Sequence, residues 1–379
     1  MKMMKMETRS INTQMHIRLI MLLPVVSMML GASALAADKT LIDYFLPMPI
    51  TEALSKDVWG AAEVGPRDPN NGLEDTTMKQ WCYWDGQIIK GPDGKFHMFA
   101  SRWDQAKGHN EWVNSKAVHA VSDKVTGPYV DKGLCWPDNQ GGKGHNVTAL
   151  VMPDQRYAIV VSDTRPGDVF VSKSLDGPWE LLGPIKVDAN GFEAAGMTNV
   201  SIMVRPDGDY MIVPRSGQIL ISKAGITGPY KVQGPSVFSD RLPGIPCLED
   251  PVVFYSGGLY QIVVNSWNTR KAYHLTSKDG ISNWVSRGLA YDPTTNFTRY
   301  TDGTVNHWHK MERPGVLIED GHVTAMTLAV LDTPKEAQPG NNGHGSKIIV
   351  IPFDGAALDR DLQNPSKETP APGSPAPPQ

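Results

Sequence analysis

The chain has 379 residues, of which 40% are hydrophobic and 20% charged, and its formal net charge is −4 at pH 7. These values fit a soluble globular protein, and the lack of a basic excess argues against a nucleic-acid partner. Ten Trp, eleven Tyr and nine Phe residues supply bulk for a core and flat faces for ligand binding.

Residues 1–36 have the pattern of a signal peptide. Basic residues precede an apolar run at positions 19–30, and Ala34-Leu35-Ala36 follows as a small-x-small cleavage pattern. The apolar run is too short for a good membrane span. We therefore expect an exported protein, periplasmic or secreted, whose mature chain has no membrane span.

A repeat is the most informative feature of the remaining chain. Segments that begin at Val121, Val171 and Ile221 each start with a β-branched residue and Ser, and each ends in Gly-Pro-aromatic. The Gly-Pro pairs lie at positions 127, 177 and 228, and a degenerate fourth copy ends at Asn283-Trp284. Short alternating apolar segments between these marks are joined by Asp-Gly or Gly-Gly turns. Four antiparallel strands at a period of about 50 residues are typical of propeller blades.

We therefore predict an all-β fold, a five-bladed β-propeller of four-stranded antiparallel blades, in a catalytic domain over residues 37–360. Residues 40–60 are the expected segment for closing the ring. A β-sandwich is the alternative, but the Gly-Pro corner recurs in register and favours the propeller. Residues 361–379 are rich in Pro and poor in apolar groups, so we expect them to be disordered.

The three cysteines are Cys82, Cys135 and Cys247, and no two form a Cys-x-x-Cys pair. This spacing does not support a zinc ribbon or a redox motif. Two of them could form a disulfide in an exported protein, but three buried thiols fit the sequence equally well.

Polar and aromatic residues occur where the first strand of each blade begins and where the second strand ends. In a propeller the first strands line the central channel, and ligands bind where those strands begin. Candidate substrate-binding residues at these positions are Asp85, Arg102, Trp103, Asn146, Arg165, Asn199, Asp250, Trp267 and Arg313. A structural propeller does not need such a convergence of ionisable groups. We therefore predict a carbohydrate site, since sugar rings stack on flat Trp faces.

Four residues are candidate catalytic groups. His145 opens a blade and offers a base that titrates near neutral pH, and His109 in a Gly-flanked loop could transfer a second proton. Arg215 could neutralise a carboxylate of the substrate. Glu249 could act as a general acid. Three of these residues have a structural alternative: a backbone contact for His145, an exposed position for His109, and ion pairing for Glu249.

The metal signal is weak. The pair His307 and His309 has no third ligand at a fixed spacing. We expect that no cofactor is required, although a structural divalent cation could bind.

Two stretches resemble the five-bladed glycoside hydrolases of family 43. Glu249-Asp250-Pro251 is similar to the Glu-x-Pro blade start of that family, and the segment around Asp85 is similar to its first blade. The resemblance implies that Glu249 is the general acid and Asp85 the general base. The family's remaining aspartate would fall at Asn146 or Asn199, where an amide cannot play the same charge role.

A longer set of segments resembles the β-propeller polysaccharide lyases that cut ulvan, a family for which seven blades are expected. The segments begin at Tyr83, Ala100, Val118, Gly144, Met203, Glu249, Glu312 and Gly345. The resemblance implies β-elimination, with His145 and either His109 or His119 in proton transfer and Arg215 facing the uronate carboxylate. We therefore predict a polysaccharide lyase for a uronate-containing, possibly sulfated glycan. The alternatives are a glycoside hydrolase that uses Asp85 and Glu249, and a non-catalytic glycan-binding propeller.

Overall fold

Five sheets follow one another along the chain in the computed structural model, which describes residues 39–55, 60–193 and 195–364. The predicted signal peptide at 1–36 and residues 365–379 of the predicted tail lie outside the described residues. Within each sheet the strands pair mainly with their neighbours in sequence, as short hairpin turns require. The prediction of a five-bladed, mainly antiparallel β-propeller is confirmed.

The strands fall into five blades. The first blade comprises β1 (Trp81–Lys90), β2 (Phe96–Asp104), β3 (Lys116–Ser122) and β4 (Val130–Leu134). The second comprises β5 (His145–Val151), β6 (Tyr157–Ser162), β7 (Asp168–Ser172) and β8 (Glu180–Pro184). The third comprises β9 (Val187–Asp188), β10 (Ser201–Val204), β11 (Tyr210–Val213), β12 (Leu220–Ser222) and β13 (Tyr230–Val232). The fourth comprises β14 (Leu248–Ser256), β15 (Leu259–Ser266), β16 (Ala272–Ser277) and β17 (Val285–Tyr291), and the fifth β18 (Lys310–Glu319), β19 (His322–Leu331) and β20 (Ser346–Pro352).

The third blade has a fifth strand, which departs from the predicted four. The chain leaves the outer strand of the second blade and must return to the axis to begin the next blade. On the way, β9 runs parallel to β13 and extends the outer edge of the third blade. Glycine is required beside this crossing, because a Cβ at Gly228 would lie 2.6 Å from the Lys186 carbonyl oxygen.

The fifth blade has three named strands, and an earlier part of the chain completes its outer edge. Leu73 exchanges two backbone hydrogen bonds with Ile348, each 3.0 Å long. The Asn71 side chain also bonds both backbone groups of Val350. Within the segment expected to close the ring, residues 40–60, Phe45 forms a bridge with Phe353. Closure therefore uses two parts of the N-terminal region, at position 45 and at 71–73.

The core lies between neighbouring blades. Because neighbouring blades cover both faces of the middle strands, strands such as β15 and β19 are buried at nearly every position. The first strand of each blade contacts the first strands of the adjacent blades, so these five strands surround the central axis. Residues at their beginnings are therefore brought together from distant parts of the chain.

Two α-helices lie in the described residues, α1 (Val237–Arg241) and α2 (Gly355–Gln363). The second helix enters the 361–379 segment for which disorder was predicted, because it packs against β19. Neither helix is long and apolar enough to cross a membrane. Cys82, Cys135 and Cys247 are all free thiols.

Candidate active site

Each of the five inner strands has a residue with left-handed backbone in its first half or just before it. These residues are Asp85 (φ 72°), Asn146 (φ 52°), Asn199 (φ 45°), Asp250 (φ 53°) and Arg313 (φ 49°). In four of the blades the strand register shifts at this point, which marks a β-bulge. A bulge re-aims a side chain, and a left-handed non-glycine residue costs roughly 1 kcal/mol or more. The recurrence of this conformation around the axis indicates a built site at this end of the channel.

Arg313 lies at the centre of this ring. Its Nε donates to Asp85 Oδ1 over 3.1 Å, and its Nη1 lies 3.6 Å from Asp250 Oδ1. Burial alone would lower the pKa of Arg313, but Asp85 and Asp250 outweigh burial and raise it. Burial raises the pKa of Asp85, and Arg313 limits the rise. The guanidinium thus carries a fixed positive charge on the axis, held between carboxyl groups of the first and fourth blades.

The fourth and fifth blades form the charged half of the site, which we define as Arg215, Glu249, Asp250, Lys310, Glu312 and Lys335. Carboxyl oxygens of its three acids lie within 4.8 Å of one another. Glu312 accepts hydrogen bonds from Lys310 (3.2 Å) and Lys335 (2.6 Å). Burial would raise the pKa of Glu312, but the two lysines outweigh it and lower that pKa.

Glu249 has the opposite electrostatic environment. Burial, reinforced by the nearby charge of Glu312, raises the pKa of Glu249. Its side chain is 11% exposed, compared with 3% for Glu312, and Arg215 Nη2 lies 3.5 Å from its Oε2. When the pKa values of two neighbouring carboxyl groups are shifted in opposite directions, one group can act as an acid while the other stays ionised. A metal ion at this cluster would compete with the two ammonium groups that already bind Glu312.

Beside Glu249 is a cavity of about 430 Å³. Arg215, Ser216, Phe238, Leu242 and Leu248 are among its lining residues. It combines apolar surface with hydroxyl groups and one half-exposed guanidinium, as sugar sites do. Trp267 lies nearby, 40% exposed, with Lys310 Nζ 4.9 Å from its ring centre. A second cavity at the other end of the axis is lined mainly by aliphatic side chains and is remote from these acids.

The first and second blades form the aromatic half of the site, which we define as Trp84, Trp103, His109, Trp112 and His145. The His109 ring packs edge-on against Trp84 (5.2 Å) and Trp103 (5.4 Å). His145 packs on Trp112 (4.8 Å), and its Nδ1 is 2.9 Å from the Ser115 hydroxyl. Burial lowers the pKa of both histidines well below its ordinary value. Only 3% and 6% exposed, the two histidines pack among the rings of this half, and their roles in proton transfer stay predictions.

Three other residues that were predicted to contact substrate already contact other groups of the protein. Trp103 is 2% exposed, so its face is already covered by protein. Arg102 is engaged by Asp131 of the outer strand β4. Arg165 bonds Asp168 (2.7 Å) and Asn139 (2.8 Å). Packing or ion pairing thus already occupies the functional groups of these three residues, and substrate binding by them stays a prediction.

Asp163 is a site residue that the sequence analysis missed. It directly follows β6 and has a left-handed φ of 58°, and its Oδ2 accepts hydrogen bonds from the Asn146 side chain, Ser162 Oγ and the Asn199 backbone N–H. Asp163 therefore places a carboxylate between Asn146 and Asn199, the two positions at which the family 43 resemblance would require an aspartate. Its position at a second-strand end was the available signal, but only Arg165 of that segment was selected.

No family model matches the chain, and no curated protein matches it in sequence. Among solved structures the chain is similar to a glycoside hydrolase at 16% identity and a TM-score of 0.55, covering 75% of this chain and 61% of that one. The chain thus spans less than two thirds of that protein. It is also similar to a family 43 β-xylosidase/α-arabinofuranosidase from a compost microbial metagenome (15% identity, 72% and 91% covered, TM-score 0.47). A third is a family 117 glycoside hydrolase of the marine bacterium Zobellia galactanivorans (14% identity, 75% and 88% covered, TM-score 0.49).

The first of these similarities, together with the five blades, confirms the resemblance to five-bladed propeller glycoside hydrolases at the level of the fold. None of the three structures is described as an ulvan lyase, and five blades are present where seven were expected. The prediction of a polysaccharide lyase is wrong. Its proton-transfer histidines are enclosed among Trp rings, and its neutralising Arg215 faces Glu249.

Proposed function

We propose that this protein is a glycoside hydrolase with Glu249 as its general acid. The observation that carries the proposal is the raised pKa of Glu249, which lies next to the cavity lined by Arg215 and Leu248 and beside an ionised Glu312. A general acid must hold its proton at working pH and release it to the leaving oxygen, so a raised carboxyl pKa suits the role. Arg215 beside Glu249 then stabilises the carboxylate that forms when the proton leaves.

Hydrolysis of a glycosidic bond requires a second carboxyl group, which acts as base or nucleophile. Asp163 and Asp85, to which the family resemblance assigns the base, are the candidate partners around the axis, whereas Glu312 is held by two lysines. Two carboxyl groups complete the acid–base chemistry without a cofactor.

The proposed substrate is a glycan that enters at the charged half. The cavity beside Arg215 would hold the leaving-group sugar, since it adjoins the general acid. Trp267 offers the exposed ring face on which a further sugar could stack. The signal-peptide pattern of residues 1–36 supports the proposal that the enzyme meets this glycan outside the cytoplasm.

The test compares wild-type protein with Glu249→Gln on 4-nitrophenyl pentosides and hexosides and on xylan, arabinan and galactan. We expect new reducing ends from wild type and a loss of kcat/KM of about 10²–10⁴-fold in the variant. The loss should shrink on 2,4-dinitrophenyl glycosides, whose leaving group needs no proton. Glu180→Gln, on the exposed strand β8, is the matched control and should keep the wild-type rate.

Three outcomes would contradict the proposal. The first is full activity of Glu249→Gln. The second is an ultraviolet signal from unsaturated uronate in place of reducing ends. The third is glycan binding without turnover on any substrate of the panel, which would select a non-catalytic binding propeller.

A further inference from the structure

We propose that Asp163 is the catalytic base of this site, the role that the family resemblance assigned to Asp85. The inference rests on the proposed glycoside hydrolase function. The Asp163 carboxylate takes a proton from water while the water oxygen bonds to the anomeric carbon. The bond from that carbon to the leaving oxygen breaks, and Glu249 gives its proton to the leaving oxygen.

The two oxygens of Asp163 have different surroundings. Oδ2 is held by three donors, the Asn146 amide, the Ser162 hydroxyl at 3.0 Å and the Asn199 N–H at 3.2 Å. Oδ1 has no hydrogen-bond partner among the described residues, and the residue is partly exposed. A carboxylate fixed through one oxygen and open at the other is oriented for a single proton transfer.

Two amide oxygens beside Asp163 also lack a hydrogen-bond donor among the described residues. Asn146 is 3% exposed and Asn199 is 8% exposed, and the Oδ1 atom of each is buried without a hydrogen-bond partner in the described residues. A buried acceptor without a donor is costly, at about 1–3 kcal/mol each, which indicates that a ligand or water donor belongs there. A water molecule bound to these oxygens could donate one hydrogen to an amide and the other to Asp163.

Asp85 lacks these properties. Its Oδ1 accepts from Arg313, and its Oδ2 accepts from Ser101 and from the Val147 backbone N–H. It is 1% exposed, so attacking water has no route to it. Asp85 is instead a positioning residue that fixes the axial guanidinium. Asp163 lies close enough to that guanidinium to help raise the pKa of Arg313, so the base also faces a positive charge.

The experiment measures kcat and KM for wild type, Asp163→Asn and Asp85→Asn on the aryl glycoside that wild type hydrolyses fastest. We expect Asp163→Asn to lower kcat by about 10²–10⁴-fold with KM within about threefold. Asp154→Asn, in the exposed turn between β5 and β6, is the matched control with the wild-type rate.

Chemical rescue separates a base from a structural carboxylate. With azide, Asp163→Ala should regain at least about tenfold in rate and yield a glycosyl azide detectable by mass spectrometry, because azide can attack without a base. Asp85→Ala should show no rescue, since its site is closed to solvent. Asp163→Glu, which keeps the carboxylate, provides a second test if the smaller side chains do not fold: it should retain more activity than any folded neutral variant.

Each result decides between the two proposals. Asp163→Asn with more than about a tenth of the wild-type kcat, or rescue of Asp85→Ala alone, would overturn the role of Asp163 while wild-type activity upholds the hydrolase. Wild-type protein inactive on the whole panel would overturn the hydrolase and, with it, this inference.

Discussion

The aromatic half and the charged half face the same axis, but they affect the protonation of their ionisable groups differently. In the aromatic half, Trp rings enclose His109 and His145, and burial lowers the pKa of each, so both are neutral. In the charged half, Glu249 keeps 11% of its side chain exposed, and burial together with the ionised Glu312 raises its pKa. Donation of a proton to the leaving oxygen needs both a raised pKa and access, and of the two halves only the charged half combines them.

The difference also shows what the axial ionic groups do for the fold. Burying a charge without a partner is expensive. The buried carboxyl groups at the axis each have a cationic partner, which is Arg313 for Asp85 and Asp250 and Lys335 for Glu312. The aromatic half depends on packing instead. Substitutions in the charged half should therefore destabilise the protein by leaving buried charges unpaired, and those in the aromatic half by removing packing contacts.

Arg313→Met should have the largest effect, because it leaves Asp85 and Asp250 buried without their cation. We expect the free energy of unfolding at pH 7 to fall by about 3–5 kcal/mol. Without Arg313 the pKa values of both acids rise further above their unfolded values. The native state then binds more protons than the unfolded state, so stability falls as pH rises and the penalty shrinks toward acidic pH. Urea unfolding at several pH values measures this.

Arg215→Met is the control for this prediction. Arg215 is 47% exposed at its side chain and faces Glu249 over 3.5 Å, so its removal should cost no more than about 1 kcal/mol. If Arg313→Met costs as little as Arg215→Met at pH 7, the axial guanidinium is not the partner on which the buried acids depend.

Two variants should move the alkaline limb of the kcat/KM profile in opposite directions. That limb reports loss of the proton from Glu249 in the free enzyme. Glu312→Gln removes a negative charge that raises the pKa of Glu249, so the limb should move to lower pH. Arg215→Gln removes a positive charge that lowers this pKa, so the limb should move to higher pH. We expect shifts of roughly half to one pH unit each.

The opposite directions of the two expected pH shifts make this prediction specific. Asp154→Asn, remote from the axis, should leave the limb in place. Shifts of both variants in the same direction would mean that the limb belongs to another group, and the assignment of Glu249 as the general acid would then fail.

The parts of this molecule that could be predicted from its sequence are those set by local chemistry. Gly-Pro corners and Asp-Gly turns determine where strands end, so the repeat predicted five blades. The strand starts also identified all five left-handed axial residues. What each of them contacts was not predictable, because the partners are distant in sequence: Arg313 and Asp85 are separated by 228 positions. Asp163 was missed because it reaches the axis from a second strand, and only the fold shows that Asn146 and Asn199 orient it.

The smallest effect on rate should come from His145→Gln, which tests the aromatic half. A Gln side chain can still bond the Ser115 hydroxyl, so we expect a loss of about 1 kcal/mol in the free energy of unfolding and kcat/KM within about threefold of wild type. His274→Gln, a buried histidine of the fourth blade that bonds Gln261 over 2.8 Å, is the matched control and should behave alike. Reducing-end assays and urea unfolding measure both variants. A loss of rate near 10³-fold in His145→Gln alone would make His145 part of the chemistry, and the separation of the site into a packed half and a reactive half would then be wrong.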